Sequence, residues 1–183
     1  IIVDNIDELK RLNKIAEEKN VTVNIMFRIK PGIDAHTHDF VKTGQIDSKF
    51  GFALETGEAF EAVKNALEHK NINLRGLHCH IGSQIFDIVP FEEAARVMLN
   101  FIAKIKNELG YEIKELNLGG GFGIKYMDKD DPVPYETYME RVSGVVHQCC
   151  KELQINLPAM FIEPGRSIAA PAGITLSLIH ISE

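Results

Sequence analysis

The sequence predicts an α/β domain on a parallel sheet, and three observations support this. Strand-like apolar runs alternate with amphipathic stretches in the order β-α-β-α-β-α-β-α-β along 183 residues. No linker or charge run interrupts the alternation, so it describes one domain. Every chemically rich cluster follows the C-terminal end of a strand, which is where barrel enzymes carry their chemistry. A doubly wound open sheet also fits the alternation and gathers ligands at the same edge. The placement of the polar clusters favours the (β/α) barrel.

Each element has its own signal. Ile1-Ile2-Val3 is a strand tail, and Ile6, Leu9, Leu12, Ile15 and Ala16 then recur at helical spacing among charges. Val21 to Ile29 is rich in β-branched and apolar residues and stops at Pro31-Gly32, so it reads as a buried strand. A long polar loop runs from Lys30 to about Phe52 and carries His36 and His38. Thr56 caps a helix whose inner face is Ala59, Ala62, Val63, Ala66 and Leu67. Leu74 to Ile81 is the next strand. Pro90 then opens a long helix with Phe91, Ala94, Met98, Phe101, Ile102, Ile105 and Leu109 on one side and Gly110 past its end. Ile113 to Leu118 is a strand that runs into Gly119-Gly120-Gly121-Phe122-Gly123. A helix from about Tyr135 to Leu153 and a strand from Ala159 to Ile162 complete the pattern, and the chain turns at Glu163-Pro164-Gly165-Arg166.

Composition narrows the function classes. Twenty Lys+Arg against 26 Asp+Glu give a net charge of -6, whose field repels nucleic acid and anionic membranes and leaves small molecules as the better partner class. No apolar run approaches the roughly 20 residues of a membrane helix, and the N-terminus lacks a signal-peptide layout. A cytoplasmic protein is expected. Three cysteines, two of them the neighbours Cys149 and Cys150, suggest buried reduced thiols and no disulfide framework.

Three clusters offer chemistry. In the first, the glycines Gly119 to Gly123 allow backbone amides to converge on a phosphate, or they simply make a tight turn with positive φ. The run lacks the third glycine of a dinucleotide fingerprint and the Gly-Lys-Ser/Thr of a triphosphate loop. In the second, Gly76 to Gln84, His78 and His80 share one strand face. That pair admits a metal site, with His36 and His38 as a second pair. It also admits a flat ligand with an imidazole stacked on its ring and Ser83 on an anion, or a hydrogen-bonded core histidine at His78. Few carboxylates at the later strand ends could complete a metal site, so no metal is expected. In the third, Glu163 ends a strand with Arg166 three residues on. The two either brace the turn as an ion pair or serve a ligand, the carboxylate beside a ring nitrogen and the guanidinium on an anion. A carboxylate at 4 Å in an effective dielectric of about 20 gives about 4 kcal/mol, or roughly three pKa units for such a nitrogen. Together these parts suit pyridoxal 5'-phosphate.

The stretches RIKPGIDAHTHDFVKTGQIDSKFGF, GLHCHIGSQIFD, LNLGGGFGIKY and FIEPGRSIAAPAGITL resemble, in order and spacing, the diaminopimelate branch of the alanine-racemase-like, fold-type III pyridoxal-phosphate decarboxylases. The resemblance covers Ile1 to about Leu176. It implies a partial (β/α)8 TIM-type barrel over 1–176 and decarboxylation of meso-2,6-diaminopimelate to L-lysine, a step of lysine biosynthesis. It further implies a homodimer whose active sites borrow residues from the partner's second domain. By the same resemblance, His80 stacks on the pyridine ring, and Ser83 with Gly119, Gly120 and Gly121 holds the phosphate. Glu163 bonds the pyridine nitrogen, and Pro164-Gly165-Arg166 completes the site, with Arg166 near the phosphate and the substrate carboxylate.

The departures are equally specific. The family's Schiff-base lysine lies on an earlier strand, upstream of Ile1, and Lys49 matches a different block. The proton-donating cysteine lies in a C-terminal β-domain that this sequence does not contain, and neither Cys79 nor Cys149-Cys150 matches it. Residues 177–183 depart from the family pattern and read as foreign. The chain alone is therefore expected to be inactive. Its start at Ile1 and its roughly five strands fall short of a barrel, which takes about 250 residues. Three other readings stay open: a related decarboxylase acting on arginine, ornithine or carboxynorspermidine, a non-catalytic carrier of the cofactor, and a metal-dependent barrel hydrolase using His36, His38, His78 and His80.

Overall fold

The computed structural model describes residues 1–33 and 49–174. Strand β1 (Ile2–Val3) leads into helix α1 (Ile6–Lys19), and β2 (Val23–Lys30) is followed by the short β3 (Phe52–Ala53). Helix α2 (Glu58–Leu67), β4 (Ile72–His78), α3 (Val89–Leu109) and β5 (Glu115–Asn117) come next. Helix α4 (Tyr135–Glu152), β6 (Ala159–Phe161) and the short α5 (Gly165–Ala169) end the described chain, apart from one 3-10 turn at Ala170–Ala172.

All pairings are parallel, in the order β1-β2-β4-β5-β6, with β3 alongside the end of β2. This run of parallel strands with intervening helices bears out the predicted alternation and fits the partial barrel that the resemblance implies. Strand β3 lies at the end of a stretch the sequence predicts as a loop, and α5 and the 3-10 turn follow where it predicts only a turn at Glu163-Pro164-Gly165-Arg166. Strand β3 has only two residues, too few to show a period, and it exists because Phe52 packs edge-on to Phe27 at 5.0 Å.

Local chemistry fixes the helix ends. In α1, the Asn5 side chain accepts the Glu8 amide while Glu8 accepts the Asp4 amide, and Asn20 closes the helix at φ 52°. Pro90 lies in the first turn of α3 and Gly110 caps it at φ 63°. Helix α2 departs from expectation: its cap is Gly57, with no side-chain hydrogen bond, and Thr56 sits one residue earlier at 3.5 Å from the Glu58 amide.

The core lies between the sheet and the faces of α2 and α3, around Phe27, Leu77, Val63, Met98 and Leu116. The predicted inner faces hold except at Ile15 and Leu67, which are exposed. Apolar side chains are also exposed on the outer strands, at Ile1 and Ile2 on one edge and Met160 and Phe161 on the other. Among the described residues β1 and β6 are the outer strands of the sheet. Phe91, Phe122 and Tyr138 pack with ring centroids 5.0–5.3 Å apart, and Tyr138 donates to the Ile85 carbonyl. This aromatic cluster anchors the glycine-rich segment after β5 to α3 and α4.

Candidate functional site

Parallel strands bring their C-terminal ends to one edge, and register decides which residues meet there. Arg28 on β2, His78 on β4, Asn117 on β5 and Phe161 on β6 are successive cross-strand partners, so they form one row. Glu163 lies two residues beyond Phe161, and its carboxylate returns to that row. Asn117 Nδ2 donates to Glu163 Oε1 at 2.9 Å, and His78 Nε2 lies 3.5 Å from Oε2. Arg28 is held on the other side of His78, with Nη1 3.8 Å from Asp4 and its guanidinium 4.5 Å over the Phe50 ring.

The three glycines answer to sterics before any ligand does. A Cβ on Gly119 would lie 2.5 Å from the Cys79 carbonyl oxygen, one on Gly120 2.1 Å from that of Glu163, and one on Gly121 2.3 Å from that of Gly82. Gly119 and Gly121 also have positive φ, 71° and 102°. The triplet thus lets the ends of β4 and β6 close on β5 from both sides, as the tight-turn reading of the run expects. Two of the amides already donate within the site, Gly119 to Asn117 Oδ1 at 2.8 Å and Gly120 to His80 Nδ1 at 3.3 Å. The Gly121 amide takes no acceptor among the described residues.

The braced-turn alternative for Glu163 and Arg166 does not match the geometry. Arg166 reaches away from Glu163, donating through Nε to Ser83 Oγ at 3.1 Å and through Nη1 to the Tyr126 hydroxyl at 2.7 Å. It lines an open hollow of about 740 Å³ with Tyr126, Gly165 and Ala169.

Burial sets the charge states. His78 is 4% exposed, and its pKa is lowered by burial, with Glu163 opposing the shift and Arg28 reinforcing it. Burial also lowers the pKa of His80, helped by Arg28 and His78. Burial pushes the Cys79 thiol up to about 12, which makes it an inert core group. Cys149 and Cys150 are buried too, and all three thiols are free.

The structure thus gathers His78, His80, Ser83, Gly119, Gly120, Gly121, Glu163, Pro164, Gly165 and Arg166 at one edge. His36, His38 and residues 175–183 lie outside the described residues. Among the described residues, no three His, Cys, Asp or Glu side chains converge as metal donors, and no helix is long and apolar enough to cross a membrane. The sequence reading missed Asn117, Arg28 and Tyr126. Asn117 and Arg28 carry a legible signal, a polar side chain within an otherwise apolar strand end. Tyr126 carries none, because only folding brings its loop to Arg166.

A parallel α/β sheet that collects imidazole, carboxylate, guanidinium and side-chain-free backbone at the C-terminal ends of its strands has the arrangement of the class of barrel proteins that hold small molecules there. Within that class, the chain belongs to the pyridoxal-dependent decarboxylases, matching the family's pyridoxal binding domain over residues 1–170. It is 48% identical over 176 residues to a diaminopimelate decarboxylase of Bacillus methanolicus, covering 96% of this chain and 41% of that protein. It is 46% identical to the diaminopimelate decarboxylase of Halalkalibacterium halodurans, covering 97% and 40%. The crystal structure of diaminopimelate decarboxylase from M. jannaschii in complex with L-lysine superposes with a TM-score of 0.84 at 37% identity, over 97% of this chain and 42% of that one. The chain therefore spans about two-fifths of the length of the curated relatives it matches.

Proposed function

We propose that this chain is the cofactor-holding part of an enzyme that decarboxylates meso-2,6-diaminopimelate to L-lysine with pyridoxal 5'-phosphate. The observation that supports this reading best is the grip on Glu163. In a member of the pyridoxal-dependent decarboxylases, a half-exposed carboxylate is held by Asn117 beside His80 and the glycine triplet. The residues present suit the cofactor. The Gly121 amide takes no acceptor among the described residues, and the site holds a carboxylate, Glu163, and a guanidinium, Arg166, that are not bonded to each other.

In this reading Glu163 faces the pyridine nitrogen and keeps its proton in place, and the His80 ring stacks on the cofactor. Ser83, the backbone of Gly119, Gly120 and Gly121, and the Pro164-Gly165-Arg166 turn take the phosphate. Arg166 gives up or shares its bonds to Ser83 and Tyr126 to meet the phosphate and the substrate carboxylate. When bound, the cofactor supplies a protonated ring that stabilises negative charge on the substrate carbon as carbon dioxide leaves. The high similarity to diaminopimelate decarboxylases supports that substrate over arginine or ornithine. A cytoplasmic homodimer is proposed for the whole protein.

Millimolar pyridoxal phosphate added to chain 1–183 should shift the amide resonances of Ser83, Gly119 to Gly121 and Arg166. Unmoved amides would refute the cofactor site. The whole protein should release carbon dioxide from diaminopimelate faster than from ornithine or arginine, while chain 1–183 alone should release none.

A further inference from the structure

His78 is a buried imidazole, and among the described residues neither of its nitrogens has a partner at good hydrogen-bond geometry. Leaving such a group unpaired costs about 1–3 kcal/mol, so its retention at a strand end needs a physical reason. Glu163 Oε2 lies 3.5 Å from Nε2, at the outer limit of hydrogen-bond distance. Among the described residues, Asn117 holds Glu163 at Oε1. A carboxylate held at one oxygen still turns about its terminal torsion, which is broad and two-fold. A second polar contact at the other oxygen would fix its plane.

We propose that His78 is a positioning residue for Glu163: its Nε2–H fixes the plane of the carboxylate at Oε2 while Asn117 holds Oε1. The inference rests on the proposed role of Glu163 toward the cofactor ring and adds the residue that orients it. His78 suits the task because it donates without bringing a charge. The charged and titratable groups that act on it are Arg28 on β2 and His80 beyond β4, and the carboxylates of Asp4 after β1 and Glu163 after β6. Burial and Arg28 outweigh the two carboxylates and keep the ring neutral. A neutral donor leaves the full negative charge of Glu163 available to a protonated ring nitrogen, whereas an imidazolium at 3.5 Å would compete for it.

The test uses chain 1–183 and two readouts. Nitrogen NMR of the histidine rings should show His78 as the neutral Nε2–H tautomer. Its signals should move in Glu163→Gln while those of the exposed His147 stay in place. Pyridoxal phosphate affinity, read by equilibrium dialysis, should fall about tenfold in His78→Phe and stay within about threefold in His78→Gln, which keeps a donor. Circular dichroism confirms that each variant is folded. An Nδ1–H tautomer, His78 signals indifferent to Glu163→Gln, or undiminished affinity in a folded His78→Phe would each overturn the inference. If His78→Phe fails to fold, the ring signals in Glu163→Gln decide the matter. If the unaltered chain binds no pyridoxal phosphate, the cofactor reading fails, and the NMR readout still decides whether His78 orients Glu163.

Discussion

Replacing Gly120 by alanine should open the sheet where the site is built. The added Cβ would sit 2.1 Å from the Glu163 carbonyl oxygen and 3.0 Å from its carbon, both backbone atoms with no rotamer to yield. The ends of β5 and β6 must therefore part by more than 1 Å to restore ordinary contact. That movement strains the two hydrogen bonds joining them, Glu163 N–H to Gly119 O at 2.7 Å and Leu118 N–H to Phe161 O at 3.0 Å. Overpacking of this kind costs about 1–3 kcal/mol, and weakening each hydrogen bond adds about 0.5–1.5 kcal/mol. A total of about 3 kcal/mol lowers the thermal midpoint of a domain this size by about 6–12 °C. Gly144 supplies the control. It lies inside α4 with nothing within 4 Å of its would-be Cβ, so Gly144→Ala should stabilise by about 0.5–1 kcal/mol. Thermal melts of the two variants by circular dichroism make the comparison. A Gly120→Ala midpoint within about 1 °C of the unaltered chain would refute the claim that close approach of β6 demands glycine there.

Two further predictions use the same row of residues. Asn117→Ala removes the donor to Glu163 Oε1 and the acceptor for the buried Gly119 amide, so urea denaturation should show a loss of about 1–3 kcal/mol; an unchanged midpoint would mean that water replaces both bonds. For pH, His78 and His80 titrate below the ordinary value of 6.5 in the folded chain, so between 6.5 and their folded values the unfolded chain binds more protons. Stability should accordingly fall as pH drops through that window, by up to about 1.4 kcal/mol per pH unit for each histidine, and level off below it. His78→Gln should flatten the slope in urea titrations at successive pH values, and an identical slope would show that His78 already protonates at its ordinary value.

The strands and helices were legible in the sequence because their signals are local. Period-3.6 apolar spacing marked α1 to α3, and Pro90 and Gly110 marked the ends of α3 within a residue. Strand ends were less legible. The strand read as Leu74 to Ile81 is observed as Ile72–His78, because pairing with β5 stops at His78↔Asn117 while the apolar pattern runs on. Each cluster of candidate site residues was likewise visible as a strand end followed by residues of unusual chemistry.

What the sequence could not supply was the choice of partner. Arg166 stands three residues from Glu163, yet it bonds Ser83, 83 residues away, and Tyr126, 40 residues away. Glu163 meets Asn117 across 46 residues. These pairings follow from which strands lie side by side and in what register, and register arises from packing helices on the sheet as a whole. By itself the sequence determined the α/β class, the order of elements and the residue types at the strand ends, since periodicity and turn chemistry act within a few residues. Only the tertiary structure decided that three glycines are demanded by neighbouring backbone, that Asn117 grips Glu163, and that a buried neutral histidine faces the same carboxylate, because each depends on distances between segments far apart in the chain.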